Sequence, residues 1–191
     1  MTITVDQLTG YVSRDLDADL ARWFPGAEPA EVGADARPVE PFLPRLPAAA
    51  ASALAALDQR VRAGGIPVDL DILDFSYGFD FAANECGILD SDYETPLTGD
   101  DVHAIAADGS GNLHVLLTNG QVAVWFHEEE VLEAETRFDN LDVFLWSLVR
   151  YRAVLAGTLR LSEVEADFEA LAQDGVLAPE LGMLTVMRAR A

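Results

Sequence analysis

The sequence lacks lysine altogether, and all twelve of its cationic side chains are arginines. It contains 33 aspartates and glutamates, so the formal net charge of the 191-residue chain is -21. This shortage of cations excludes nucleic-acid binding by counterion release, which needs lysine and arginine against phosphate. It also excludes adsorption to anionic membrane surfaces. The absence of lysine is compatible with an arginine-biased, GC-rich genome or with a salt-adapted source.

Cysteine and long apolar runs are also scarce. Cys86 is the single cysteine, so no intramolecular disulfide can form, and a reducing cytoplasm is expected. The first thirty residues contain acids and lack the apolar segment of a signal peptide. No uncharged apolar run approaches the roughly 20 residues of a membrane span. Because 50% of the residues are hydrophobic, we expect a soluble, cytoplasmic, single-domain protein.

Acidic side chains are concentrated in the middle of the chain. Between Arg62 and Arg137 there is no arginine, whereas nine aspartates and seven glutamates lie there. We call this segment the cation-free stretch, and its formal charge is -16. Two interpretations are open: a solvated acidic face that maintains solubility, and an electronegative surface that attracts a basic partner.

Hydrophobic periodicity predicts a helix at the N-terminus, over residues 4–24. Its apolar side chains are three or four positions apart, at Val5, Leu8, Val12, Leu16, Leu20 and Trp23. Thr4 and Gln7 fit a capping box, and Pro25-Gly26 ends the helix. Six of the nine prolines lie at positions 25 to 47, which predicts an irregular linker over 25–46.

Further helices are predicted at 48–63, 140–156 and 163–173. Asp139 or Asn140 can cap the second of these, and Ser162 with Glu165 forms a capping box for the third. Residues 181–186 are expected to add a short strand or to pack as a tail. Residues 66–100 are expected to form irregular turns with one or two short strands.

The clearest local pattern is a β-meander at about 102–127. Asn119-Gly120 between two runs rich in β-formers predicts a type I′ hairpin, because both central residues need positive φ. The register of that turn forms one apolar face from Leu113, Val115, Leu117, Val122, Val124 and Phe126. The meander then has strands at 102–107, 113–118 and 121–127. The predicted fold class is α+β, an antiparallel sheet packed against N- and C-terminal helices.

Residues that could carry catalysis are few. Cys86 could act as a nucleophile only if the fold brought His103, His114 or His127 beside it. No serine lies in a nucleophile elbow, and no phosphate-binding loop is present. Residues 90–94 begin like a calcium-binding loop but are not followed by its glycine and final glutamate. We therefore predict no catalytic residues, no metal site and no cofactor.

Acidic and aromatic residues lie together at the exit of the meander. Trp125-Phe126 is followed by four residues, His127 to Glu130, of which three are glutamates. Aromatic anchors beside carboxylates suit the recognition of proteins rich in arginine and lysine. The predicted partner-binding residues are Asp90, Asp92, Glu94, Trp125, His127, Glu128, Glu129 and Glu130.

Four motifs follow one another between His103 and Tyr151. They are the strand and turn at 105–113, the hairpin at 119–122, the pair His127-Glu128 and the helix start at 138–145. In this order they resemble the SUKH superfamily, bacterial immunity proteins related to fungal cell-wall assembly regulators. In that family a strand ending in Asp-Gly-x-Gly leads into a Gly-Val hairpin, a histidine-acid end and a helix with a Phe-Leu pair.

The resemblance implies a single SUKH-like domain without catalytic residues. Its parts would be an N-terminal helix (1–24), a proline-rich linker (25–46), a core (48–156) and a C-terminal helical extension (160–191). It implies an immunity protein that neutralises a polymorphic toxin, often a nuclease. The acidity agrees with a basic protein toxin as partner, because carboxylates can cover a phosphate-binding site. Whether the chain is a monomer or a homodimer stays open.

Two other functions remain open. A cytosolic scaffold or regulator of the same fold would bind another protein through hydrophobic grooves, and its binding would tolerate charge reversal at Glu128 to Glu130. An enzyme or metal-binding protein would show a higher melting temperature with its small ligand or metal.

Overall fold

A six-stranded sheet forms the centre of the computed structural model, which describes residues 2–92, 94–133 and 136–190. The strands are β1 (Leu89–Asp90), β2 (Thr95–Pro96), β3 (Val102–Ala107), β4 (Leu113–Leu117), β5 (Val122–Phe126) and β6 (Val131–Leu132). Their order in the sheet is β2-β1-β6-β5-β4-β3, and only β1 and β6 are parallel. The predicted α+β class and meander are confirmed.

The central hairpin has a different turn from the predicted one. Strands β4 and β5 pair one residue out of the expected register, so Leu116 rather than Leu117 faces Val122. The amide of Gly120 donates to the carbonyl of Leu117 at 2.9 Å, and Gly120 has a φ of +91°. Asn119 does not share this positive φ. The loop is therefore a type I turn followed by a left-handed glycine, which adds one residue and shifts the register.

This shift exchanges the faces of β5, because side chains alternate across a strand. Both faces of the sheet are buried along β3, β4 and β5, whereas β2 and Leu89 of β1 are exposed. The helices cover one face, which we call the helix side. The segment 79–101 covers the other face, the loop side, where a second cluster is formed by Phe81, Ile88, Val102, Ala104, Ala107, Leu113, Val115, Leu117, Ala123, Trp125 and Leu132.

The N-terminal stripe folds as three short helices, not as the single helix predicted. These are α1 (Val5–Leu8), α2 (Tyr11–Arg14) and α3 (Leu16–Trp23). Gly10, with a φ of +78°, interrupts the helical backbone between α1 and α2. The backbone amides of Gly10 and Val12 donate hydrogen bonds to the Asp142 carboxylate, at 2.9 Å each. The predicted apolar stripe nevertheless faces the core.

The remaining helices are α4 (Ala48–Arg62), α5 (Leu141–Leu155), α6 (Glu165–Leu171), α7 (Asp174–Leu177) and α8 (Met183–Arg190). The Asn140 side chain caps α5 by accepting the amide of Val143 at 3.0 Å. In place of the capping box expected between Ser162 and Glu165, the Glu163 carboxylate accepts the backbone amide of Arg160 at 3.3 Å and its Nε atom at 2.9 Å. Where a short strand or a packed tail is predicted at 181–186, the chain forms α8, which packs on α5.

Candidate functional site

The predicted partner-binding residues at 90–94 lie in and after β1, and Asp90 is not at the surface. Its side chain is buried, and the Nη2 atom of Arg137 donates to its Oδ1 at 2.8 Å. The Nε atom of Arg137 lies 3.1 Å from the Asp92 carboxylate. Arg137 is itself buried, so this pair neutralises charge inside the fold. The prediction that Asp90 binds a partner is therefore wrong, because its buried carboxylate has a structural role. Asp92 and Glu94 are exposed.

Trp125 is also buried, in contrast to its predicted role as an exposed aromatic anchor. Its ring packs on the loop side with a centroid 5.0 Å from that of Phe81. Its Nε1 donates to the carbonyl of Gly87 at 3.0 Å. The register shift at Gly120 is the cause. In the expected register Trp125 lies on the sheet face opposite Leu113, Val115 and Leu117, whereas in the structure it lies on the same face as these three residues.

The segment from His127 to Glu130 forms the turn between β5 and β6. His127 is exposed, and its Nδ1 lies 2.9 Å from the Asn112 side-chain oxygen. Glu128 and Glu129 are exposed, whereas Glu130 is half-buried. The Glu130 carboxylate lies against Gly87, where an added Cβ would come within 2.5 Å of Oε2. Glu130 therefore connects this turn with the segment that leads into β1.

The parallel pairing of β1 and β6 separates the predicted residues into two groups. Leu89 pairs with Val131, so the segments that precede these two strands lie at the same end of the sheet. We call Glu85, Glu128, Glu129 and Glu130 at this end the glutamate cluster. Asp92 and Glu94 follow β1 and lie at the opposite end. The predicted partner-binding residues thus divide between the two ends of this short strand pair.

Aspartates and glutamates of the cation-free stretch have different environments. Arginines from the flanks pair with five of the nine aspartates, among them Asp100 with Arg37 at 3.1 Å and Asp101 with Arg45 at 2.9 Å. Arg152 likewise pairs with Asp71, and Arg137 pairs with both Asp90 and Asp92. Among the described glutamates of this stretch, none has an arginine partner. Glu135 lies outside the described residues.

The three histidines are in different places, and neither buried one is beside Cys86. His103 packs on the helix side between the rings of Phe42 and Tyr77, and burial lowers its pKa to about 4. His114 also lies on the helix side, with its ring centroid 4.8 Å from that of Phe144. Cys86 packs against the loop side, where burial and then Glu130 raise the pKa of its thiol. The sheet separates the thiol from both buried rings.

A cavity on the helix side is a site that the sequence reasoning missed. It lies between β4, β5, α5 and α8, and its lining includes His114, Arg152 and Asp108. Burial lowers the pKa of His114 to about 4, so its ring is neutral at pH 7. The sequence signal was a histidine and an arginine in otherwise apolar segments, but only the tertiary fold brings the two together.

Within the described residues, no group of three or more histidine, cysteine, aspartate or glutamate side chains is arranged to hold a metal ion. In the same parts of the chain, no helix is both long enough and apolar enough to cross a membrane. Comparison of the chain with protein-family models, with curated proteins and with solved structures found no match.

Proposed function

We propose that this protein is a non-catalytic binding module, an immunity protein that neutralises a basic, nuclease-like toxin in the cytoplasm. The observation that carries the proposal is the glutamate cluster at one end of the sheet. Its carboxylates come from two segments that the parallel pairing of β1 and β6 brings side by side. They have no internal counter-charge in the described chain, so their charge is available to a partner.

The contrast with the aspartates supports this reading. Arginines from the flanks pair with five aspartates of the cation-free stretch, and the described glutamates are left unpaired. Four of the nine aspartates, Asp69, Asp74, Asp80 and Asp108, also form no ion pair with arginine in the described chain, so the contrast is one of degree: five of nine aspartates are paired and no described glutamate is. Glutamates in this arrangement suit the arginines and lysines with which a nuclease holds phosphate.

Backbone geometry gives separate support. Glu85 and Glu130 both have a φ of +56°, a region that favours glycine and costs other residues about 1–2 kcal/mol. Glu94, at the opposite end of the sheet, has a φ of +48°. Such conformations persist where the surrounding structure fixes them, and they are frequent at functional sites, although Asp71 and Ala172 also adopt them here, with φ of +53° and +52°. Retaining glutamate in place of glycine there is consistent with a role for the carboxylate.

The test is binding to a basic nuclease and inhibition of its activity. The chain is immobilised and used to capture basic proteins from its native host at about 50 mM salt, and the captured nuclease is then purified and titrated. We expect inhibition of the nuclease by an equimolar amount of this protein. We also expect weaker binding at about 200 mM salt, since screening reduces electrostatic attraction.

Matched charge reversals locate the surface. Glu128→Arg/Glu129→Arg changes the net charge as much as Glu28→Arg/Glu31→Arg, whose glutamates are exposed elsewhere. Two reversed contacts at about 1 kcal/mol each should raise the Kd about 30-fold in the first variant. The second variant should stay within about threefold. If the two variants bind alike, the glutamate cluster is not the interface, and the scaffold function with an apolar interface is favoured instead.

A further inference from the structure

Four apolar residues lie in a row across the sheet, from the end of β5 to β2. Phe126 pairs with Val131, and Val131 pairs with Leu89. Leu89 pairs in turn with Pro96. Residues paired in this way project from the same face of a sheet. This face is the helix side, because Leu132, the residue after Val131, lies on the loop side. We call these four paired residues the apolar row.

The apolar row is accessible to solvent. Leu89 is 44% exposed, and Pro96 is also exposed. Phe126 and Val131 are half-buried. Neighbouring strands are about 4.8 Å apart, so the row is about 14 Å long. Single exposed apolar residues are common on protein surfaces, but a contiguous group of them is typical of a surface that contacts another protein.

Unpaired carboxylates flank the apolar row on both sides. Glu128 and Glu129 lie in the turn between β5 and β6, at one end of the short strands. Glu133 follows β6 and Glu94 precedes β2, so both lie at the other end. All four side chains are exposed, and none of them pairs with an arginine in the described chain. The surface is therefore an apolar strip between two acidic borders.

This pattern is complementary to a basic amphipathic helix. A helix of about three turns is about 16 Å long, which matches the row. Its apolar face is bordered on both sides by positions that arginine or lysine can occupy. Addition of a strand at β2 is disfavoured, because β2 has two residues and Pro96 has no amide hydrogen to donate. A second copy of this chain would place carboxylates against carboxylates.

We propose that the apolar row binds an amphipathic helix of a basic protein. The apolar side chains of the helix lie on Leu89 and Val131, and its arginines or lysines meet the glutamates on either side. This inference rests on the proposed function, because it adds an apolar contact to the glutamate cluster and names the element of the toxin that is recognised. The carboxylates orient the helix, and the apolar row provides a contact that salt does not screen.

Two synthetic peptides of about 14 residues, with identical numbers of leucines, arginines and alanines, test the proposal. The one-face peptide has all its leucines on one side of the helix, bordered by arginines. The mixed peptide has them distributed around the helix. Nuclear magnetic resonance of the full chain should show saturable shifts of the Leu89 and Val131 methyls with the one-face peptide. We expect this peptide to bind at least about fivefold more tightly than the mixed one.

A matched pair of substitutions locates the contact. Leu89→Ser should weaken binding of the one-face peptide about fivefold, at about 50 mM and at about 500 mM salt alike, because an apolar contact is not screened. Phe75 is 55% exposed and belongs to the segment that covers β3, at the opposite edge of the sheet. Phe75→Ser should therefore change the Kd by less than about twofold.

The inference is overturned if the two peptides bind alike, if the methyls do not shift, or if Leu89→Ser binds as tightly as the unaltered chain. A dimer in sedimentation experiments that Leu89→Ser dissociates would also overturn it, since a second copy would then occupy the row. If Leu89→Ser does not fold, the two peptides and the unaltered chain decide the question. Nuclease binding that is lost in Glu128→Arg/Glu129→Arg but unchanged in Leu89→Ser would overturn this inference alone and leave the proposed function in place.

Discussion

Replacing Arg137 by methionine is expected to destabilise the protein by about 3–5 kcal/mol. Arg137 and Asp90 are 8% and 6% exposed, and their charged groups meet at 2.8 Å. Removing the guanidinium leaves the Asp90 carboxylate buried without its counter-charge, and such a change typically costs this amount. Asp92, 31% exposed, also loses its partner but can be solvated, so its contribution is small.

Urea unfolding at pH 7 measures this effect, with two further variants for comparison. Arg188→Met removes a guanidinium from an ion pair whose side chains are 51% and 36% exposed, and should cost under about 1 kcal/mol. Asp90→Asn/Arg137→Met removes both buried charges and should be at least about 2 kcal/mol more stable than Arg137→Met alone.

Equal stabilities of Arg137→Met and Arg188→Met would refute this reasoning. The Asp90 carboxylate would then be solvated, and its assignment to a partner-binding surface would stand again. A double variant no more stable than Arg137→Met would mean that the lost stability came from packing of the arginine stem and not from charge.

Two more outcomes are expected. Burial lowers the pKa of His103 and of His114 from 6.5 to about 4, so between pH 6.5 and 4 the unfolded chain binds more protons than the folded one. The free energy of unfolding should therefore fall as the pH falls through this window, by on the order of 3 kcal/mol for each histidine. In His103→Phe, the free energy of unfolding measured by urea titration should depend less steeply on pH. Gly175→Ala should lower the free energy of unfolding by about 1–3 kcal/mol in the same assay, because the added methyl group would overlap the ring of Phe138. The control is Gly157→Ala, whose Cβ position is open, so that it should lose only the strain energy of its positive φ.

Local patterns were sufficient to predict most elements of this fold. The meander, α4 and α5 follow from periodicity and from caps such as Asn140, and these signals depend on neighbouring residues. The hairpin register did not follow, because Asn-Gly is compatible with a two-residue turn and with a three-residue turn that has glycine in the left-handed position. One residue of difference decided which face of the sheet received Trp125.

The candidate site could be predicted only in part. The sequence shows that acidic residues are concentrated in the middle of the chain, but it does not show which of them form ion pairs with arginines. Asp90 and Arg137 are 47 positions apart, and their contact depends on the position of β1 beside β6. The cavity could not be predicted from the sequence for the same reason. His114 and Arg152 belong to different elements, β4 and α5, which come together only in the tertiary structure.

The pairing of β1 with β6 also has a consequence for folding order. Strands β3, β4 and β5 are adjacent in sequence and can form early, whereas β1 must close a loop to reach β6, as in the contact of Ser91 with Leu132 across 41 positions. We therefore expect the segment of Glu85 to reach Glu128 and Glu129 late in folding. A partner that contacts both segments would bind completely folded chains and would not bind nascent ones.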